Sequence, residues 1–123
     1  MDQKDREYLF TSGLDDEDSV VGSVIELLSR KWTRAIIEVL LAEDGRRYNE
    51  LNDEIDGISD KVLSDSLKRL ESFHLVRREV VDDRPVQVKY WLTEPGASLE
   101  EVVDAVVNWT ENYQQHLDSE TDA

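Results

Sequence analysis

A mainly α-helical domain carrying a single β-hairpin is predicted by three features of this 123-residue sequence. Apolar residues recur at helical spacing through successive segments between Ser19 and Phe73. The stretch Val86-Gln87-Val88-Lys89-Tyr90-Trp91-Leu92 alternates strictly between apolar and polar or aromatic positions, as a half-buried strand does. Asp82-Asp83-Arg84-Pro85, directly before it, is a turn sequence that joins it to a preceding strand over Leu75 to Val81. The length favours one domain.

Residues 1–18 are polar, end in Asp15-Asp16-Glu17-Asp18 and are expected to form an acidic arm, ordered at most around Tyr8-Leu9-Phe10. The domain proper is expected over residues 19–116, with an acidic tail at 117–123. Ser19 is the candidate N-cap of a first helix reaching Ser29, whose apolar residues are Val20, Val24, Leu27 and Leu28. A second helix is expected from Trp32 to Ala42, with Ala35, Ile36, Val39 and Leu40 inward and Gly45 supplying a left-handed ending. Arg46-Arg47-Tyr48 is expected to open a short third helix with Tyr48, Leu51 and Ile55 on one face. Asp56-Gly57 makes a turn, and Ser59 caps a fourth helix. Thr93 caps a last helix that tolerates Pro95 in its first turn and carries Leu99, Val102, Val103, Val106, Val107, Trp109 and Tyr113. That is more apolar surface than one narrow stripe needs, and it points to a second subunit as well as to the core.

Composition narrows the function. Cysteine is absent, which removes disulfides, thiolate metal ligands and thiol redox chemistry. His74 and His116 lie far apart, and nothing groups them with partners for catalysis or metal binding, so neither an enzyme nor a cofactor is expected. No apolar run approaches the roughly 20 residues of a membrane span. The N-terminus lacks a basic segment followed by an apolar one, and a cytoplasmic location is expected.

The chain is strongly acidic, with 29 Asp and Glu against 14 Lys and Arg and a formal charge of −15. Solvation by self-repulsion accounts for such a surface. So does adaptation to a salt-rich cytoplasm of the haloarchaeal kind, where a short Debye length screens the carboxylates. The excess is uneven. Between Ser59 and Lys89 seven bases meet six acids, whereas Glu94 to Ala123 holds eight acids and no base.

The fourth helix separates into two faces. At about 100° per residue, Val62, Leu63, Leu67, Leu70 and Phe73 fall on one side, with the small Ser66 among them suited to close packing on the third helix. Lys61, Ser64, Asp65, Lys68 and Ser72 fall on the other. A merely solvated face favours long Glu and Lys side chains paired at i, i+4. The short serines and the aspartate here suit a surface that fits closely against something. Two short helices across a tight glycine turn, followed by a hairpin, compose a winged helix-turn-helix, whose second helix enters the DNA major groove.

The chain also resembles the HxlR-type transcriptional regulators. The resemblance is carried by Lys31-Trp32, Arg47-Tyr48-Asn49-Glu50-Leu51, Gly57-Ile58-Ser59-Asp60-Lys61-Val62-Leu63, Leu67-Lys68-Arg69-Leu70-Glu71, Leu75-Val76-Arg77-Arg78, the block from Pro85 to Thr93 with Gly96, and Trp109. It implies a homodimeric regulator of double-stranded DNA whose terminal helices form the dimer, here Val20, Val24, Leu99, Val103, Val106, Trp109 and Tyr113. Many members carry a redox-sensing cysteine thirteen positions before the tryptophan of the Lys-Trp pair; Ser19 stands there in this chain.

On this reading Ser59 and the amides beside it meet a phosphate or base edge, Lys61, Ser64 and Lys68 read the major groove, and Asp65 accepts from a cytosine amino group or rejects other bases. Arg46 and Arg47 contact backbone phosphate, and Arg84 at the wing tip probes the minor groove. Arg77 and Arg78 are expected to pair with nearby acids, and Trp32 and Trp109 to anchor packing. Two other functions fit the residues less closely: an acidic interaction or DNA-mimic module on the same scaffold, and a small-molecule sensor with a ligand in the dimer crevice, as in ArsR or MarR proteins.

Overall fold

A computed structural model describes residues 19–122. The expected arm over residues 1–18 lies outside them. The elements run α1 (Val20–Ser29), α2 (Lys31–Ala42), β1 (Arg46–Arg47), α3 (Tyr48–Glu54), α4 (Asp60–Ser72), β2 (Val76–Asp83), β3 (Val86–Leu92), α5 (Glu94–Ala97) and α6 (Leu99–Asp122). The three strands form one antiparallel sheet in the order β1-β3-β2. None of the described helices is long and apolar enough to cross a membrane.

Each helix starts and stops for a local reason. The Ser19 hydroxyl accepts from the Gly22 amide at 3.0 Å, and that of Ser59 accepts from the Val62 amide at 3.1 Å. After α2, Gly45 takes φ +72°, and the Asp44 carboxylate accepts from the Gly45 amide at 3.0 Å and the Leu92 amide at 2.9 Å, tying the turn to β3. α4 ends on His74 at φ 58°: the His74 amide donates to Glu71 O at 2.9 Å and the Leu75 amide to Leu70 O at 3.0 Å. This is the paired-bond ending that glycine usually serves.

The core forms where helical and sheet faces converge. Leu27 of α1, Ile36, Ile37 and Leu40 of α2, Leu51 of α3, and Leu63, Leu67 and Leu70 of α4 are all at most 1% exposed. Ile55, Ile58, Val76, Tyr90 and Leu99 complete the cluster. Ser66 is buried and lines a cleft together with Thr33 of α2.

Four expectations are corrected. Arg46 and Arg47 are extended and pair with Tyr90 and Lys89, so the third helix begins at Tyr48 and the hairpin gains a third strand. The first hairpin strand reaches Asp83, with an irregularity between Val80 and Asp82. The hairpin is buried only at its base: Val76 and Tyr90 are covered, whereas Val80, Val81 and Val86 are exposed because the wing projects beyond the core. The last helix is two helices, α5 capped by the Thr93 hydroxyl and α6 running on through Asp122, past residue 117, where the acidic tail was expected to begin.

The α5 junction is tight. Thr93 Oγ1 accepts from the Gly96 amide at 3.1 Å and donates to His74 O at 2.7 Å. A Cβ on Gly96 would lie 2.0 Å from the Leu75 carbonyl oxygen, which is backbone and has no free rotation to escape.

Gly96→Ala is therefore expected to lower stability by about 1–3 kcal/mol, the range for overpacking, read as a lower urea midpoint. A second expectation concerns alkaline pH. Tyr90 and Tyr48 hold their phenolic protons above the ordinary value of 10.0, chiefly because burial disfavours phenolate; for Tyr48 the Asp60 carboxylate adds to this, and for Tyr90 Arg78 opposes it. With the folded pKa raised, this contribution is fully present below pH 10 and is lost as pH rises through the folded value. The urea midpoint should decline above about pH 10, and more shallowly when both tyrosines are replaced by phenylalanine.

Candidate nucleic-acid interface

α3 and α4 are joined through Asp56-Gly57, where Gly57 takes φ +82°. The pair is latched at the α4 N-terminus: Tyr48 Oη donates to Asp60 O at 3.0 Å, and Asn52 Nδ2 donates to Asp60 Oδ1 at 2.9 Å. Asn52 was not legible as an interface residue, because nothing in its spacing marks a partner eight residues on. With Leu63, Leu67 and Leu70 buried, the opposite face of α4 must point outward. Ser59, Lys61, Asp65, Lys68 and Ser72 are exposed and Ser64 is half-buried, so the structure brings this predicted row together on one open surface.

Arg46 and Arg47 point to different surroundings because alternate residues of a strand face opposite sides. Arg47 is exposed beside the start of α3, and its amide donates to Glu50 Oε1 at 3.4 Å. Arg46 is only 7% exposed. Its guanidinium bonds to Glu54 and lies 3.2 Å from both Glu43 and Glu50. The hydrogen bond to Glu54 raises its pKa first, burial opposes this, and attraction to Glu54, Glu43 and Glu50 adds to the rise. Arg46 is thus a structural tie among α2, β1 and α3, and its expected phosphate contact is corrected.

The wing stands against the start of α3, where Val86, Gln87 and Val88 line one cleft with Arg47, Tyr48, Asn49 and Glu50. Arg84 is exposed at its tip, its amide held by Asp82 Oδ1 at 3.2 Å. At its base the Trp91 ring covers Gly45 and is flanked by Lys89 at 4.9 Å and Arg77 at 5.1 Å. Arg77 also pairs with Glu79 at 3.1 Å, as expected.

The expected dimer residues divide. Leu99 is buried in its own chain's core, so it serves folding instead. Val103 and Val24 are half-buried. Val20, Val106, Trp109 and Tyr113 are exposed, and the last two rings stack at 4.9 Å. Trp32, by contrast, packs on the core.

Comparison with known proteins agrees with this arrangement. Residues 27–118 match the HxlR-like helix-turn-helix family. The HTH-type transcriptional regulator YodB of Bacillus subtilis is 38% identical over 92 residues, covering 74% of this chain and 80% of that protein. An uncharacterized HTH-type transcriptional regulator of Methanothermobacter thermautotrophicus is 32% identical over 119 residues, covering 96% and 82%. The reduced form of B. subtilis YodB superposes with a TM-score of 0.69 at 35% identity over 76% of this chain and 90% of that one, and YodB has also been solved diamide-treated and quinone-bound. The chain belongs to the HxlR-like helix-turn-helix family.

Proposed function

We propose that this protein is a DNA-binding transcriptional regulator that acts in the cytoplasm as a homodimer and presents α4 to the major groove of each half-site. The observation that carries the reading is the exposed row Lys61, Ser64, Asp65 and Lys68, held outward by the buried leucines behind it. Arg47 beside α3 and Arg84 on the wing flank that row and suit phosphate or minor-groove contacts. Ser59 and the first amides of α4 offer donors to a phosphate. YodB has quinone-bound and diamide-treated forms, but the 123 residues here contain no cysteine, so any effector of this protein acts without thiol chemistry.

Dimerisation is supported by α6. Of its 24 residues, Leu99 is buried and Val103 half-buried; its other described side chains are exposed. Val102, Val106, Trp109 and Tyr113 recur at spacings of four and three residues, which places them on one stripe. A helix so little covered is marginal alone in water, and a second copy of the stripe is the simplest cover.

Lys61→Ala with Lys68→Ala should leave the unfolding midpoint unchanged and weaken binding to a selected duplex by about 10- to 100-fold, as loss of base contacts does. Wild-type affinity should fall only shallowly between moderate and high KCl, since so few cations displace counterions. Equal DNA affinity in the double variant, read by fluorescence polarisation, refutes the assignment. It is also the result expected of an acidic interaction module. Val106→Glu with Trp109→Ala should convert the dimer to a monomer in light scattering; an unchanged mass rejects the α6 pairing.

A further inference from the structure

We propose that the cleft between the start of α2 and the flank of α4 seats one backbone phosphate of the bound DNA, a contact that rests on the regulator reading above. The cleft has a volume of about 310 Å³, and its lining includes Arg30, Lys31, Thr33, Asp65, Ser66 and Arg69. Three cations against one carboxylate reverse the balance of a chain with 29 acids and 14 bases.

The start of α2 is open to an anion. Its N-cap, Arg30, makes no side-chain capping bond in this 12-residue helix. The first amide bonded within the helix is that of Arg34, to Arg30 O at 3.0 Å. The amides of Lys31, Trp32 and Thr33 therefore lack helical acceptors and carry the positive end of the dipole. Thr33 supplies an independent sign. It is 1% exposed, and its hydroxyl has no hydrogen-bond partner among the described residues. A buried hydroxyl left unpaired is unfavourable, and a phosphate oxygen is an acceptor for it.

The cations present are only loosely engaged. Arg30 pairs with the exposed Glu26 at 3.0 Å, and Lys31 lies over the Trp32 ring at 4.8 Å. Arg69 has no carboxylate partner among the described residues.

Position selects DNA as the source of the phosphate. Asp65 belongs both to the outward row of α4 and to the cleft, and Ser66 and Arg69 continue along the same flank. A helix about 10–12 Å across nearly fills a major groove about 12 Å wide, so its flanks lie against the phosphate walls. With Lys61 and Lys68 toward the bases, this flank and the start of α2 face one wall.

The test uses a duplex selected from a random pool by the wild-type protein, and the same duplex scrambled. Lys31→Ala with Arg69→Ala should weaken binding to both by a similar factor, about tenfold or more, and reduce the salt slope by about one, as loss of one phosphate contact does. Thr33→Val should bind both duplexes more weakly while melting no lower than wild type, an outcome a merely structural threonine does not give. A methylphosphonate at the seated position should cost the wild type affinity and cost the Lys31→Ala/Arg69→Ala variant nothing further. Unchanged affinity and slope in the variants, or tight binding of inorganic phosphate without any DNA defect, overturns the seat and leaves the regulator reading intact. Failure of the wild type to select any duplex removes the regulator reading itself, and the seat with it.

Discussion

One constraint organises this protein: α4 is both the centre of the core and the edge of the molecule. Leu63, Leu67 and Leu70 are at most 1% exposed, and each would leave a cavity costing about 2–5 kcal/mol if truncated to alanine. The helix cannot roll without expelling them, so Lys61 and Lys68 have one direction available. Its two ends are fixed as well, by Ser59, Tyr48 and Asn52 at the start and by the paired amide bonds around His74 at the finish. A surface held in this way loses little conformational freedom on binding, which leaves more of each contact as affinity.

The distribution of charge follows from the same packing. Arg46 is withdrawn from the surface and bound by Glu43, Glu50 and Glu54, so one of few bases is spent on joining α2, β1 and α3. A lone charge in that position would be costly, and the carboxylates around it are what make the burial tolerable. What remains on the outward face of α4, the face proposed to meet DNA, is a near-neutral set of mostly short side chains, Lys61, Ser64, Asp65, Lys68 and Ser72. Such a surface approaches bases closely and depends on geometry more than on bulk attraction.

Periodicity exposed much of this in the sequence, and its failures share a cause. α1, α2 and α4 are amphipathic over ten residues or more, so their faces were readable from spacing, and the N-caps Ser19 and Ser59 from residue type. The alternation of β3 was equally clear, but alternation says nothing about whether another element reaches far enough to cover the face; Val86 is 66% exposed for that reason. Arg46-Arg47 is a two-residue strand, too short to have a period, and only its partner on β3 defines it. The burial of Arg46 depends on glutamates brought together by folding, and charge type alone suggested the opposite role. Leu99 and Trp109 looked alike as apolar residues of one helix. The break at Ser98 and the first-turn contact of α6 give one to the core and leave the other outside. His74 closes α4 at positive φ without glycine's signature, so nothing marked it.

The proposed pairing through α6 and the proposed contact with DNA respond to salt in opposite directions. From Glu94 to Ala123 the chain holds eight acids and no base, so two copies brought together along the Val102, Val106, Trp109 and Tyr113 stripe repel each other. The Debye length falls from about 10 Å at 0.1 M to about 3 Å at 1 M. Rising salt therefore removes repulsion between the partners and leaves the apolar stripe in control. The same change weakens each phosphate contact through counterion competition. A dimer that gains where its individual DNA contacts lose keeps both recognition helices engaged over a wide range of ionic strength. On this reading the stretch that holds eight acids and no base is the one proposed to pair with another copy, while the stretch from Ser59 to Lys89, proposed to meet DNA, is close to neutral, with seven bases against six acids.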